Sequence, residues 1–196
     1  MTKPRDGAGN AALTFFRHWL KAPLSMGSLA PSSRFLARAM ARQIPASVLA
    51  ERLPVLELGG GTGSITRGLL DAGVPTESLY VVERDPMLAE VLRRRFARVE
   101  VLCGDVAELS ALVQPRGISR AGAIVSGLPL LLFPEAALDR LVECCFALLS
   151  EGRPLIQFTY GLKSPLPAQH YGLTARRVAW VLRNLPPAFV WVYRRR

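Results

Sequence analysis

The stretch VLELGGGTGSITRGLL, residues 55–70, decides the fold of this 196-residue chain. An apolar run ends at Leu58, a glycine-dense segment follows, and a helical pattern begins near Ser64. Glycine permits a tight turn and a close approach of the backbone to a ligand, but each glycine costs conformational entropy on folding. Four glycines within five residues are more than a plain strand-to-helix turn requires. The stretch therefore predicts a ligand-binding turn between a strand and a helix.

Short apolar runs alternate with helical patterns along most of the chain, which indicates a parallel sheet covered on both faces. The predicted strands are Val55–Leu58, Leu79–Glu83, Val99–Cys103, Ala123–Ser126 and Leu155–Thr159. The predicted helices between them are Ser64–Ala72, Pro86–Phe96, Val106–Leu112 and Glu135–Leu149. Two further strands, predicted at Ala175–Leu182 and Phe189–Arg194, form an antiparallel hairpin. We therefore expect a doubly wound α/β domain with a mostly parallel, seven-stranded sheet.

Two amphipathic helices are predicted before this domain. The first, Ala11–Lys21, has an apolar face and a basic face, which is typical of a helix in a membrane interface. Its expected membrane-binding residues are Phe15, Phe16, Arg17, Trp19, Leu20 and Lys21. The second, Phe35–Gln43, follows a predicted loop over residues 24–33 and carries a basic stripe of Arg34, Arg38 and Arg42. We expect residues 1–45 to form an extension that binds the membrane, and residues 46–196 to form the α/β domain. Because an apolar helix face can also pack on the protein's own core, the extension is alternatively a lid.

The positive charge of the chain lies at its two ends. Within a net charge of +10, residues 1–50 hold seven basic residues and one acidic residue. Residues 151–196 hold eight basic residues and one acidic residue, whereas residues 51–150 hold ten basic and thirteen acidic residues. Basic segments around a slightly acidic centre indicate a polyanionic partner, either nucleic acid or an anionic membrane surface.

Cysteine, histidine and hydropathy patterns exclude several classes of protein. The three cysteines form no CxxC pair, which favours a reducing cytosol over a disulfide scaffold. The two histidines are too few for a histidine-based metal site, and we expect no metal ion. No apolar run reaches the ~18 residues of a transmembrane helix, and a signal-peptide pattern is missing. We therefore expect a cytoplasmic protein that lies on the inner face of the cell membrane.

Glu57, two residues before the first glycine, helps to distinguish a dinucleotide site from a site for a cationic cofactor. Gly59, Gly61 and Ser64 nearly match the GxGxxG pattern of dinucleotide sites, but serine stands in the third position. A carboxylate at the end of a strand repels a pyrophosphate and favours a cationic ligand. The residues therefore favour a cationic cofactor over a dinucleotide.

The pattern ExGxGxG, formed by Glu57, Gly59, Gly61 and Gly63, resembles the cofactor motif of class I methyltransferases, which use S-adenosylmethionine (SAM). Matching positions follow at the ends of the next strands, and a doubly wound sheet gathers these ends around one crevice. The resemblance implies a Rossmann-like fold in which Glu83 holds the ribose. It also implies S-adenosylhomocysteine as the product. The implied SAM-binding residues are Glu57, Gly59, Gly61, Thr62, Gly63, Glu83, Arg84, Gly104, Asp105, Val106 and Ser126, with Ser32 and Ser33.

The segment SGLPL, residues 126–130, resembles the NLPY motif of rRNA adenine dimethylases, which are also basic proteins. In that motif an asparagine and an aromatic residue hold a nucleobase, whereas this chain has Ser126 and Leu130. Both differences remove groups that hydrogen-bond to a base or stack on it. RNA adenine methylation therefore remains an alternative function that the basic charge supports, although the residues that would hold the base are missing. A non-enzymatic protein that binds membranes or nucleic acid is the third hypothesis.

Most of residues 13–196 resembles the bacterial phospholipid N-methyltransferases. The matching segments are FFRHWLKAPLSMGSLAPSS, VLELGGGTGSIT, IVSGLPLLLFP, PLIQFTYGLKSPLP and VLRNLPPAFVWVYRR. The resemblance implies stepwise methylation of phosphatidylethanolamine, through its mono- and dimethyl forms, to phosphatidylcholine on an anionic membrane. We expect no nucleic-acid partner and predict no protein partner. The amine must first lose a proton, and the expected residues at that step are Tyr160, then Ser126 with the backbone of Leu128.

Overall fold

The computed structural model describes residues 31–196. The predicted helix Ala11–Lys21 lies outside the described residues, and so does every expected membrane-binding residue: Phe15, Phe16, Arg17, Trp19, Leu20 and Lys21. Ser32 and Ser33 lie in the first turn of a helix, but their side chains are outside the described part. Among the helices of the described range, none is both long enough and apolar enough to cross a membrane.

A seven-stranded sheet forms the centre of the molecule. Its strands are β1 (Val55–Leu58), β2 (Leu79–Glu83), β3 (Glu100–Cys103), β4 (Ala123–Ser126), β5 (Leu155–Thr159), β6 (Leu173–Val181) and β7 (Ala188–Arg195). They stand in the order β3-β2-β1-β4-β5-β7-β6. Strands β1 to β5 run parallel, and β7 is antiparallel to both β5 and β6. The predicted mostly parallel sheet with a C-terminal hairpin is confirmed.

Helices cover both faces of this sheet. They are α1 (Pro31–Ala41), α2 (Ala46–Ala50), α3 (Ser64–Asp71), α4 (Pro86–Arg95), α5 (Leu109–Val113) and α6 (Glu135–Leu148). Apolar residues of α1 to α4 pack on one face of the sheet, and those of α5 and α6 pack on the other. Alternate residues of a strand point to opposite faces, so Val55 belongs to the first layer and Leu56 to the second.

Several predicted bounds are wrong. The helix predicted at Phe35–Gln43 is Pro31–Ala41, and the strands predicted at Ala175–Leu182 and Phe189–Arg194 begin earlier, at Leu173 and Ala188. The loop expected over residues 24–33 ends earlier, because α1 begins at Pro31, and proline is tolerated in the first turn of a helix. The helix expected at Val106–Leu112 is divided into a 3₁₀ turn, Val106–Glu108, and the short helix α5. The Asp105 side chain accepts a hydrogen bond from the backbone N–H of Ala107 over 2.9 Å and so begins the first turn.

Helix α1 packs in the core against α3. Ala37 and Met40 are fully buried, and Gly68 of α3 lets the two helices approach closely, because an added Cβ would lie 2.3 Å from that of Ala37. The basic stripe of Arg34, Arg38 and Arg42 faces solvent. The division of the chain at residue 45 stays a prediction.

The carboxyl ends of β1 to β5 meet at one edge of the sheet, which we call the carboxyl edge. The turn between β6 and β7, residues 182–187, lies at the same edge, because Thr159 at the end of β5 pairs with Phe189 at the beginning of β7. Chain order reverses between β1 and β4, and ligands of such sheets bind outside the strand ends at this point.

Candidate active site

A cavity of about 630 Å³ lies at the carboxyl edge. The glycine-rich turn and the residues after β2 and β3 form one wall, and the loops after β4 and β5 form the other. The predicted site residues that line it are Gly59, Gly61, Thr62, Glu83, Arg84, Asp105, Val106, Leu128 and Tyr160. Glu57, Gly63, Gly104 and Ser126 lie outside its lining.

The glycines of the turn have different structural roles. Gly59, Gly61 and Gly63 have φ angles of +78°, +53° and +81°, in the left-handed region that favours glycine. At Gly63 an added Cβ would lie 2.5 Å from the Phe96 ring, so this glycine allows packing on the core. At Gly61 an added Cβ would meet no atom within 4 Å. Gly61 is therefore the position at which the backbone is open to a ligand in the cavity.

Glu83 connects the end of β2 to this turn. Its carboxylate accepts hydrogen bonds from the backbone N–H of Gly61 over 2.8 Å and of Asp85 over 2.9 Å. The residue is 9% exposed and lines the cavity. An ionised carboxylate has about four acceptor sites, so acceptor capacity remains for two ligand hydroxyls. This arrangement fits the ribose of SAM.

Glu57 lies behind the cavity and is fully buried in β1. Neither of its carboxylate oxygens has a hydrogen-bond partner among the described residues. Burial raises the pKa of Glu57 to about 8, the neighbouring Thr66 offsets only part of this rise, and the negative charge of Glu83 adds to it. Glu57 is therefore mostly protonated at pH 7, next to Thr66 of α3.

The residues after β3 form the third part of this wall. Asp105 and Val106 line the cavity, and Arg84 stands 3.9 Å from the Asp105 carboxylate. At Gly104 an added Cβ would lie 2.6 Å from Leu112, so this glycine allows the strand end to pack against α5. Asp105 and Val106 thus lie in the cavity lining directly after β3.

Two of the residues expected near the amine are already engaged with the backbone of the loop after β4. The Ser126 hydroxyl accepts a hydrogen bond from the N–H of Leu128 over 3.3 Å. The Leu128 carbonyl accepts from the N–H of Leu130 over 3.0 Å and from Nε2 of Gln157 over 2.9 Å. A carbonyl oxygen has two lone pairs, so that of Leu128 has no acceptor site left for an amine.

Tyr160 and Asn184 are the polar pair of the opposite wall. Tyr160 follows β5 and packs edge-on against Phe158, with 5.5 Å between the ring centroids. Burial raises the pKa of Tyr160, and a hydrogen bond with the Asn184 side chain lowers it in part. Asn184 is 4% exposed and lines the cavity, and its Nδ2 donates to the carbonyl of Pro186 over 2.8 Å. The sequence predicts only a turn at Asn184, because the antiparallel return of β7 beside β5 is what brings this residue to Tyr160.

Apolar side chains form most of the remaining lining. Among them are residues of α1, α3, β5 and the loop after β4: Leu36, Ile65, Leu132, Phe133 and Phe158. The exposed Arg140 of α6 also lines this side. A ligand group bound here leaves water for a mostly apolar wall that also carries Tyr160, Asn184 and, at its exposed side, Arg140.

Comparisons with known proteins agree with this geometry. Residues 55–152 match a family described as methyltransferase domain. The chain is 38% identical over 180 residues to ornithine lipid N-methyltransferase of Singulisphaera acidiphila, which covers 89% of this chain and 88% of that protein. It is 41% identical over 103 residues to the probable ribosomal RNA small subunit methyltransferase A of Natronomonas pharaonis, over 52% of this chain and 33% of that protein.

Solved structures show the same fold at low sequence identity. The CcbJ methyltransferase of Streptomyces caelestis superposes with a TM-score of 0.63 and 19% identity, over 86% of this chain and 97% of that one. The 1,6-didemethyltoxoflavin-N1-methyltransferase of Burkholderia thailandensis, with S-adenosylhomocysteine bound, has a TM-score of 0.64 and 15% identity, over 100% and 94% of the two chains.

Proposed function

The chain belongs to the methyltransferase domain family of class I SAM-dependent enzymes, and from this premise we propose that it methylates the primary amine of a membrane lipid. The finer proposal is stepwise methylation of phosphatidylethanolamine, through its mono- and dimethyl forms, to phosphatidylcholine. The relative named for ornithine lipid supports a lipid amine, because an ornithine headgroup offers the same reacting group.

The observation that carries the proposal is the apolar wall around Tyr160 and Asn184. Leu132, Phe133 and Phe158 line the cavity beside this pair. An apolar wall disfavours the ammonium form of an amine, because burial penalises the charged state. The wall therefore suits an aliphatic amine that must become neutral before it can accept a methyl group.

The chain's own residues hold the amine and take its proton. SAM, when bound, supplies an electrophilic methyl group on a sulfonium. Lysine-like amines have a pKa near 10.4, so deprotonation is part of the barrier. The Tyr160 phenol stays neutral because burial raises its pKa, and its oxygen can accept a hydrogen bond from the amine. Asn184 orients that oxygen. The phenol oxygen receives the amine's proton as the phenol O–H passes its own proton to water at the mouth of the cavity, so Tyr160 is neutral before and after the step.

We assign the cofactor to the opposite wall. Glu83 and the open backbone at Gly61 hold the ribose side, and Asp105 with Val106 faces the adenine. Thr62, Arg84 and Gly59 complete the lining, whereas Gly63, Gly104, Ser126 and Glu57 lie outside it. Ser32 and Ser33 at the start of α1 remain proposed contacts.

Methylation of RNA adenine is the alternative. It is supported by the basic charge and by the similarity to ribosomal RNA methyltransferases. The match to the Natronomonas pharaonis protein covers 33% of that protein. In the structure, the positions that replace the base-holding motif are buried, with Ser126 at 1% and Leu130 at 3% exposure. Neither side chain is free to hold a nucleobase, which favours the lipid substrate.

The test is transfer of radiolabelled methyl groups from SAM. The purified full chain is offered vesicles with phosphatidylethanolamine, vesicles with ornithine lipid, or ribosomal RNA. We expect label in phosphatidylethanolamine, with mono-, di- and trimethyl products separated by chromatography. Label confined to ornithine lipid would reject phosphatidylethanolamine as the substrate and identify an ornithine headgroup in its place. Label in RNA, or in none of the three, would reject the proposal.

A further inference from the structure

Large apolar side chains remain exposed at the mouth of the cavity. Seven large apolar side chains are exposed among the described residues, and four of them lie on loops of the carboxyl edge. These four are Leu131, Leu162, Leu182 and Leu185, with exposures of 55%, 72%, 61% and 83%. A fifth, Trp180, is 61% exposed near the end of β6. Single exposed leucines are ordinary, but a group at one edge marks an interaction surface.

Three separate loops bring these leucines together. Leu131 follows β4, Leu162 follows β5, and Leu182 and Leu185 lie on the turn between β6 and β7. An added Cβ at Gly161, next to Leu162, would lie 4.0 Å from a methyl group of Leu131, so the first two loops touch. The pairing of β5 with β7 places the third loop beside them.

Each exposed leucine stands next to a residue of the cavity wall. Leu131 precedes Leu132, and Leu162 follows Tyr160 by two residues. Leu182 and Leu185 lie on either side of Asn184. The same short loops therefore present polar groups to the cavity and leucines to the outside.

The charge around the leucines is positive. Lys163 and Arg183 are exposed beside them, and no carboxylate of the described residues forms an ion pair with either. No acidic residue follows Glu151 in the sequence. The Arg177 guanidinium stands 5.2 Å above the Phe189 ring, which stacks on Trp180 at 5.7 Å. The Arg183 guanidinium lies 5.4 Å from the Phe35 ring centroid. Apolar groups between cations that pair with no described carboxylate match the acyl and headgroup layers of an anionic membrane.

We propose that this rim docks on an anionic bilayer; its residues are Leu131, Leu162, Lys163, Leu182, Arg183 and Leu185. The inference rests on the proposed lipid substrate and adds where the enzyme meets the membrane. The leucines insert between the headgroups while Lys163 and Arg183 contact lipid phosphates. The cavity then opens to the bilayer, so that a headgroup enters beside Tyr160 while the acyl chains stay among the lipids.

The experiment is vesicle sedimentation with the full chain. Vesicles contain phosphatidylglycerol with phosphatidylethanolamine, or phosphatidylcholine alone. We expect the double variant Leu182→Ser and Leu185→Ser to bind the anionic vesicles at least tenfold more weakly, with S-adenosylhomocysteine binding unchanged. The matched control is Val91→Ser on α4, which is 49% exposed away from the rim and should bind as the wild type does.

A charge variant tests the second half of the proposal. Lys163→Gln should weaken binding to anionic vesicles two- to fivefold at low salt and leave binding to phosphatidylcholine vesicles unchanged. Arg98→Gln removes the same charge next to the amino end of β3 and serves as its control. Equal effects of the two charge variants would show general attraction and overturn the assignment to the rim.

Other occupants of the rim give distinct results. Vesicle binding of the double leucine variant equal to wild type overturns the proposal. So does a wild-type dimer that the same variant converts to a monomer, or loss of ribosomal RNA binding with vesicle binding retained. Methyl transfer is scored separately, with lipid dispersed in detergent. Vesicle binding that depends on the rim, without any methyl transfer, would reject the proposed function but support docking through the rim. Methyl transfer to lipid, with vesicle binding that does not depend on the rim, would support the function and reject docking through the rim.

Discussion

The carboxylate of Glu83 accepts a hydrogen bond from the backbone N–H of Gly61 over 2.8 Å. This contact joins the end of β2 to the one position of the glycine-rich turn where an added Cβ would meet no atom within 4 Å. The same carboxylate also accepts from Asp85 over 2.9 Å. Glu83 therefore fixes the open turn, and its remaining acceptor sites face the cavity.

Replacement of Glu83 by alanine should affect both binding and stability. We expect the affinity for S-adenosylhomocysteine to fall at least tenfold by titration calorimetry, because the hydroxyl acceptor is gone. Two partly buried N–H groups also lose their acceptor, which costs roughly 1–3 kcal/mol in the free energy of unfolding. Asp71→Ala on the exposed end of α3 is the control, with both quantities unchanged. Unaltered affinity in the Glu83 variant would remove Glu83 from the cofactor site.

Glu57 makes the stability of the protein depend on pH. Its pKa is raised from 4.5 to about 8 in the folded state, so the folded protein binds more protons than the unfolded chain between these values. Stability from this group is therefore full below pH 4.5 and is lost as pH rises through about 8. Glu57→Gln removes the titration. Between pH 5 and pH 8.5, the free energy of unfolding in urea should fall by on the order of 4 kcal/mol more for wild type than for Glu57→Gln, at about 1.4 kcal/mol per pKa unit.

An equal pH dependence in wild type and Glu57→Gln would contradict the buried, neutral state of this carboxyl. Glu108→Gln is the matched control, since this exposed glutamate lies in a 3₁₀ turn after β3. It should follow the wild type at both pH values.

The Tyr160 hydroxyl should matter for turnover and not for the cofactor. For Tyr160→Phe we expect kcat to fall roughly 10- to 100-fold, within the usual contribution of a proton-transfer group. Binding of S-adenosylhomocysteine should be unchanged, because Tyr160 lies on the wall opposite Glu83. Asn184→Ala should give a smaller loss of the same kind, and Tyr80→Phe on β2 is the control. Retained turnover in Tyr160→Phe would move the amine contact elsewhere.

Contact between α1 and α3 should be sensitive to one methyl group. An added Cβ at Gly68 would lie 2.3 Å from that of Ala37 and 3.1 Å from its backbone. Gly68→Ala should therefore destabilise the protein by roughly 1–3 kcal/mol in urea unfolding, as overpacking of a core does. Gly161→Ala is the control, since its Cβ would meet atoms only at 3.6 Å and beyond. Equal stability of the two variants would show that α1 moves away easily.

The N-terminal segment should add to membrane binding. Deletion of residues 1–23 removes the predicted interfacial helix with Phe16 and Trp19. We expect weaker binding to anionic vesicles, while the affinity for S-adenosylhomocysteine and the far-UV circular dichroism of the domain are retained. Full vesicle binding by the truncated chain would assign the lipid contact to other residues.

The sequence by itself determined the sheet and the turn that carries the cofactor motif. Val55–Leu58, Leu79–Glu83, Ala123–Ser126 and Leu155–Thr159 are strands at the predicted bounds. Such elements follow from local patterns, because short apolar runs, glycines and helical periodicity act over neighbouring residues. The parallel order then places the strand ends, and with them Glu83 and Asp105, at one edge.

Only the tertiary structure decided which polar groups are available for chemistry. The Leu128 carbonyl is occupied by Gln157, which lies 29 residues away in sequence, and Glu57 is buried rather than open to the cavity. Asn184 reaches the wall beside Tyr160 because β7 is inserted between β5 and β6. Hydrogen-bond partners and burial depend on contacts between distant residues, so no local pattern could show them.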